Sequence, residues 1–213
     1  MAEQNLEYKV YQQIKEMMLN FDIVPGQRIV ITDLAEKLGV SRTPVKMALI
    51  MLLKDGFIDH SPRQSSYTIH QLTREELDGL HEFREILELG AIGIAIKNLT
   101  DEKLRVLESK AQKFKQAAAT DERELRFVLD LDFHAYIVDL AGSSYLTDTY
   151  RDVYQRFFMR RRVSRFFGER YAQVLTEHEE VVEAFRQRDV ERAKQAISAH
   201  AAATKEFMDS IYY

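Results

Sequence analysis

The sequence predicts a mostly α-helical protein, and three observations carry that expectation. Apolar residues recur at steps of three and four through most of the chain. Eight glycines and three prolines among 213 residues leave little material for turns. Short runs that read as extended chain are confined to the first third: Arg28–Ile31, Phe57-Ile58 and Tyr67–Ile69. A chain of this length suggests one or two domains with a substantial core.

The elements follow in order. Leu6 to Phe21 places Val10, Ile14, Met17, Met18 and Phe21 at helical spacing, and Pro25-Gly26 then breaks the chain. Thr32 is the expected N-cap of a helix ending near Leu38, closed by Gly39. Only Val40 separates that glycine from Ser41, the expected N-cap of the next helix. Pro44 is tolerated there because first-turn N–H groups lack an intrahelical acceptor. This helix carries Val45, Ala48, Leu49, Leu52 and Leu53 and stops at Gly56. Two short strands flank a polar tip from His60 to Ser66. Helix, helix, tight turn, helix and hairpin make the layout of a winged helix-turn-helix over residues 1–70. The boundary is expected near His70 to Leu72. Thr73 with Glu76 forms a capping box opening a helix to about Asn98. Thr100-Asp101-Glu102 and Thr120-Asp121-Glu122 read as further helix starts, acidic where the helix dipole prefers it. Gly142-Ser143-Ser144 and Gly168 read as breaks. Residues 73–213 are therefore expected to form an all-α bundle of about six helices.

Composition excludes several classes. There is no cysteine, so disulfides and thiolate metal sites are ruled out, and a reducing cytoplasmic setting is the expectation. Met1 to Val10 is charged and has no apolar stretch of the kind a secretory signal needs. No run approaches the eighteen or so apolar residues of a membrane helix. The net charge is −4 overall, yet residues 1–70 carry eight basic and eight acidic side chains and are neutral. Any nucleic-acid role must therefore rest on a local patch rather than on bulk charge.

Such a patch opens the third helix, Ser41-Arg42-Thr43-Pro44-Val45-Lys46-Met47-Ala48-Leu49. Arg42 and Thr43 at a helix N-terminus suit a phosphate, and Arg42 could instead fork onto guanine O6 and N7. Lys46 follows one turn on. An isolated arginine and lysine here would ordinarily be a solvated helix end, but the turn, the caps and the hairpin are all in register with one motif. The run resembles the recognition helix of the GntR family of bacterial transcription regulators, which opens on Ser-Arg-Thr-Pro-Val-Arg-Glu-Ala-Leu. Seven of the nine residue types match, with Lys46 and Met47 departing. Val10-Tyr11-Gln12-Gln13-Ile14 and Pro25-Gly26-Gln27-Arg28 also resemble that family's opening. The resemblance implies that Ser41, Arg42, Thr43 and Lys46 face double-stranded operator DNA. Lysine cannot fork onto guanine as arginine does, so Lys46 leaves the base preference open. Relatives often carry a Gly-rich wing tip. Here it is Ser61-Pro62-Arg63-Gln64-Ser65-Ser66, and Arg63 is the expected backbone or minor-groove contact.

The second half holds another constellation. Asp130 and His134 lie on the stripe Phe127, Asp130, His134, Ile137, Ala141. His178 lies on Val174, His178, Val181, Phe185, and His200 on Ala193, Ile197, His200, Thr204, Phe207. Each occupies a position where a helix expects an apolar core residue. Burying such groups without partners costs about a few kcal/mol each. Singly, each reads as a satisfied core histidine or a salt-linked pair. Together they suit one divalent metal, zinc by default and nickel or manganese on the same atoms. This half is similar to the FCD (FadR-type) effector domain, whose metal-binding branch uses one Asp and three His at these places. Six helices resemble its VanR-like subgroup.

Arg84 falls on the stripe Leu77, Leu80, Arg84, Leu87, Ala91. It is either a clamp for an effector carboxylate or one arm of a structural salt bridge. Within Arg156, Arg160, Arg161, Arg162 and Arg165, a run that is ordinarily a solvated face, Arg160 aligns with Leu146, Val153 and Phe157 and is the candidate to point inward. Phe157, Phe158, Phe166 and Phe167 read as core or dimer interface. The resemblance implies a homodimeric, ligand-responsive repressor, without enzymatic activity, released by a small organic acid bound beside the metal. Two alternatives stay open at this level. One is a metal-dependent hydrolase fused to a winged helix, disfavoured by the lack of a His-Asp dipeptide, a placed acid or base, and a Gly-rich phosphate loop. The other is a metal-free bundle with a DNA-binding head.

Overall fold

In the computed structural model the described residues are 5–118, 123–160 and 167–212, with the side chains at 118, 123–124, 157–160, 167–169 and 211–212 left outside the description. The chain divides into two compact units, Met1–Thr73 with Arg156–Val163, and Arg74–Gln155 with Ser164–Tyr213.

The first unit is built on three helices and a small sheet. Helix α1 (Leu6–Leu19) buries Val10, Ile14 and Met18 completely, the face its periodicity announced, and packs on α3 (Arg42–Lys54). Asn5 caps α1 by accepting from the Glu7 N–H. Strand β1 is only Arg28–Ile29, because Ile31 already begins α2 (Ile31–Leu38). The expected N-cap therefore shifts. Val30 holds that position without a side-chain bond, while the Thr32 hydroxyl, in the first turn, donates to Asp33. Gly39 closes α2 in the left-handed conformation (φ 66°), and its N–H returns to the Glu36 carbonyl. Ser41 stands at the N-cap of α3 with no capping bond from its hydroxyl. Val45, Ala48, Leu49 and Leu52 on α3 are fully buried, each large one contributing about 1.5–3 kcal/mol. Strands β2 (Ile58–Ser61) and β3 (Ser66–Ile69) are longer than the sequence suggested, so the tip shrinks to residues 62–65. The sheet is antiparallel in order β1-β3-β2, with Arg28 opposite Thr68 and Ile58 opposite Ile69.

The second unit holds six helices among the described residues: α4 (Arg74–Lys97), α5 (Asp101–Ala118), α6 (Arg123–Asp139), α7 (Ser144–Arg160), α8 (Phe167–Arg186) and α9 (Val190–Tyr212). Packing neighbours run α4, α6, α5, α8, α9 and back to α4, a closed ring. Its apolar core includes Ile92, Phe133, Ile137, Val181, Phe185 and Ile197. Gly168, read from sequence as a break, lies in the first turn of α8. The helix start expected at Thr120-Asp121-Glu122, the arginines 161, 162 and 165, and the side chains of Phe157, Phe158, Arg160, Phe166 and Phe167 lie outside the described residues.

Replacing Gly39 by alanine meets no neighbouring atom within 4 Å, so only backbone strain changes. The variant is expected to lose about 1 kcal/mol, measured by urea unfolding; an unchanged midpoint would contradict the left-handed assignment.

Candidate functional site

Two places combine chemistry with geometry, one in each unit. In the first, α3 leaves Ser41, Arg42, Thr43 and Lys46 exposed while its opposite face is buried under α1 and α2. Pro44 and Val45 turn inward, so the exposed set spans the first turn and one residue beyond. Arg63 is exposed at the hairpin tip. Arg42 and Lys46 border one shallow groove that also touches Ser65, Ser66 and Tyr67 of the wing.

In the second unit, four side chains from three helices meet. Asp130 and His134 on α6, His178 on α8 and His200 on α9 offer ligand atoms all within 4.8 Å of one another. The imidazole centroids of His134, His178 and His200 lie 4.8–5.3 Å apart. The three histidines are buried, and Asp130 keeps 19% of its side chain exposed, so the cluster opens to solvent on the Asp130 side. His178 Nε2 is 3.3 Å from Asp130 Oδ1, and His134 Nε2 is 3.9 Å from the same oxygen. Neither nitrogen has a hydrogen-bond partner, although both are buried. Such atoms require an explanation, and a cation at their common focus supplies one.

The surroundings prepare these groups as ligands. Glu88 on α4 faces His134 Nδ1 at 2.8 Å, and Glu177 on α8 faces His200 Nδ1 at 2.7 Å. An ionised carboxylate can only accept, so each imidazole carries a proton on Nδ1 and turns Nε2 toward the cluster. Burial alone would raise both carboxyl pKa values. For Glu88, His134 and Arg84 outweigh it; for Glu177, His200 and Arg170 do. Both stay below the ordinary carboxylate range. Burial lowers His178 against the pull of Asp130, and lowers His200 to about 4, so both are neutral at physiological pH, the form that binds metals. The Tyr154 hydroxyl donates to Asp130 Oδ2, leaving Oδ1 toward the histidines.

Glu88 is the hub. Its Oε1 accepts from Arg84 Nε and from the Tyr150 hydroxyl, both at 2.7 Å, while Oε2 serves His134. Burial pushes the Tyr150 phenol well above its usual pKa, so it remains a donor. The Arg84 guanidinium lies 4.6 Å from the Tyr154 ring centroid, and its Nη2 stands 3.5 Å from His200 Nε2. Arg84 is thus tied to a carboxylate and also presents charge to a cluster imidazole. Arg84 is ionised beside two ionised carboxylates, Glu88 and Asp130. Ligand atoms about 2.1 Å from one ion stand about 3.0–3.4 Å apart when adjacent and about 4.2 Å apart when opposite, so the widest pair, within 4.8 Å, has to close by about half an ångström or more. Donor type, tautomer, burial and charge all fit a divalent ion.

The structure brings together the four residues that the sequence singled out, but the sequence misplaced the inner face of α4. That face reads Leu77, His81, Arg84, Glu88, Ala91 rather than one carrying Leu80 and Leu87. Burial and the nearby Arg84 lower His81 to about 3, so it adds no charge. Glu88, Tyr150, Tyr154 and Glu177 went unassigned. The one available signal was the i, i+4 spacing of Arg84 and Glu88 on a helix otherwise apolar inside. His178 also borders a cleft of about 540 Å³ between α5 and α8.

Comparisons with known proteins agree with both halves. Residues 6–67 match the bacterial regulatory proteins of the gntR family, and residues 79–203 match the FCD domain. The chain is 29% identical over 191 residues to the HTH-type transcriptional regulator YdhC of Bacillus subtilis (strain 168), covering 89% of this chain and 85% of that one. It is 32% identical over 124 residues to the HTH-type transcriptional regulator McbR of Escherichia coli (strain K12), covering 58% of this chain and 56% of that one. The solved structure of E. coli McbR/YncC shares the fold, with a TM-score of 0.79 at 21% identity over 98% of this chain and 99% of that one.

A helix-turn-helix head joined to a helical domain defines a DNA-binding transcription regulator. The chain belongs to the GntR family, with an FCD domain as its second unit. The curated relatives are named as transcriptional regulators rather than enzymes, and the hydrolase alternative is set aside on that ground.

Glu88→Ala would leave Arg84 buried without its counter-ion. We expect a loss of about 3–5 kcal/mol in urea unfolding; a loss below about 1 kcal/mol would mean that Glu88 is not the hub described.

Proposed function

We propose that this regulator is a metal-dependent, ligand-responsive repressor. The observation that carries this reading is the buried pair of unpartnered imidazole nitrogens, His134 Nε2 and His178 Nε2, facing one carboxylate oxygen. Asp130, His134, His178 and His200 are the ligands, and zinc is the first candidate, with nickel or manganese suited to the same donors. A bound divalent ion would leave coordination positions open to an oxygen anion. The effector is a small carboxylate entering on the Asp130 side, with Arg84 as its second anchor. Arg160 was the other candidate anchor, and its side chain is outside the described residues. The six-helix domain supports placement in the VanR-like subgroup.

The chain acts as a homodimer, so that two heads meet a pseudo-palindromic operator. Ser41, Arg42, Thr43 and Lys46 face the duplex from α3, and Arg63 faces it from the wing. An effector that favours one arrangement of the dimer shifts DNA affinity by its difference in affinity for the two arrangements. Function in the cytoplasm accords with this role. Among the described residues no helix is long and apolar enough to cross a membrane.

Arg42→Ala is expected to weaken binding to the promoter beside its own gene by about ten- to a hundredfold, with the circular dichroism spectrum unchanged; equal gel-shift affinity would remove Arg42 from the interface. Protein purified without chelator is expected to contain divalent metal by elemental analysis, and His178→Ala to contain little. Chelation should lower the melting temperature of the wild type and leave that of His178→Ala unmoved. Wild-type protein free of metal, with no thermal response to added zinc, nickel or manganese, would end the metal reading.

A further inference from the structure

The groove beside the recognition helix has a wall that the helix-turn-helix motif did not disclose. It measures about 300 Å³ and is lined by Arg28 and Ile29 of β1, the backbone stretch through Thr32, Arg42 and Lys46 of α3, and residues 65–67 at the start of β3. Three of these side chains are cationic and none is acidic. The side chains of Arg28, Arg42 and Lys46 form no hydrogen bond or ion pair with any described residue. The second unit treats its cations differently: Lys110, Lys115, Arg186 and Arg192 each meet a carboxylate. Arg28 is exposed, while its neighbour Ile29 anchors β1 in the core, so the backbone holds the guanidinium at the rim.

Three convergent positive charges with no counter-ion make a site for an anion. A groove of this size takes one tetrahedral oxyanion with its water. Its walls come from the recognition helix and from the sheet that carries the wing, the two parts that straddle a duplex in this class of head. We propose that the groove seats one phosphodiester of the DNA backbone, and that Arg28 is a phosphate ligand alongside Arg42 and Lys46. Arg28 then sets the register of the head on the duplex and carries no base information of its own. This rests on the DNA-binding reading above and adds to it a contact from outside the recognition helix.

The test measures anisotropy of two labelled duplexes, one from the promoter beside its own gene and one of scrambled sequence, across a potassium chloride series. Wild type, Arg28→Ala, Arg28→Lys and Arg42→Ala are compared, with inorganic phosphate titrated separately. Arg28→Ala should weaken binding to both duplexes by a similar factor, of order tenfold, and reduce the slope of log affinity against log salt by about one per bound head. Arg28→Lys should restore the slope, because a phosphate contact needs the charge rather than the fork; a structural role for the arginine would not be rescued in this way. An unchanged slope in Arg28→Ala, with a reduced slope in Arg42→Ala, would overturn the assignment while leaving the head a DNA binder. Phosphate binding lost in Arg28→Ala without any effect on either duplex would make the groove a free-anion site and overturn it equally. Failure of the wild type to bind either duplex would sink the parent reading, and this inference with it.

Discussion

Glu88 is a carboxylate almost wholly removed from water, and the second unit is arranged around the need to compensate it. Three donors from three other positions converge on its two oxygens: Arg84 from the same helix, Tyr150 from α7 and His134 from α6. Desolvating an ion costs several kcal/mol, which only good geometry and full hydrogen bonding offset. That requirement fixes the rotation of α4, because its polar triad His81, Arg84 and Glu88 must face the bundle interior while Ile86 and Ile94 are left outside. It also fixes the ring of His134, since an Nδ1–H bound to Glu88 can leave only Nε2 for the cluster. One buried acid thereby couples helix orientation, tautomer and ligand geometry.

The four cluster residues are supported unequally. His134 and His200 lean on carboxylates, and Asp130 on a tyrosine hydroxyl. His178 has no such partner at Nδ1; its ring is held by stacking on Phe133, with centroids 4.3 Å apart, and by Phe114 at 4.8 Å. Apolar walls hold a ring's plane but do not select its tautomer. His178 is accordingly the donor whose proton position a bound ion would decide, which makes it the informative one to remove. Arg84 adds a second asymmetry. With Nη2 3.5 Å from His200 Nε2, it already presents positive charge to the cluster, so a divalent ion held there, as proposed, would sit beside a fixed cation. That pairing suits an anionic ligand able to touch both.

Legibility differed between the two units for physical reasons. The head was readable almost throughout, because local signals there agree: a left-handed glycine at 39, a one-residue gap to the next helix, and period-three-and-four apolar faces on α1 and α3. The errors fell at ends. Thr32 looked like a cap and is not one, since Val30 and Ile31 left the strand two residues early. In the bundle, the polar residues on apolar stripes disclosed Asp130, His134, His178 and His200, because ionisable groups at core positions are rare enough to be informative. Glu88 stayed hidden for the converse reason. A glutamate on a long helix is unremarkable by type, and Leu80 and Leu87 offered an alternative stripe one residue off the true face. Only packing decided between the two, and packing is not a property of one helix. Tyr150 and Tyr154 escaped for the same reason, since an amphipathic aromatic fits a core without revealing what its hydroxyl touches.

Charge is distributed on opposite logics in the two units. The bundle pairs its cations with its carboxylates, on the surface through contacts such as Arg186 with Glu108 and inside through Arg84 with Glu88. Surface pairs of this kind add little stability, but each cancels charge locally on the bundle's exterior. The head leaves Arg28, Arg42 and Lys46 unpaired around one groove although residues 1–70 are neutral in total. Neutrality reached by placing acids elsewhere on the surface concentrates attraction on one face rather than spreading it. In the proposed dimer, a head that meets DNA through one such patch would depend strongly for its affinity on whether two heads engage at once. In the reading proposed above, release of the operator would need no change within a head. It would require only that one of the two be carried out of register by a ligand bound in the second unit.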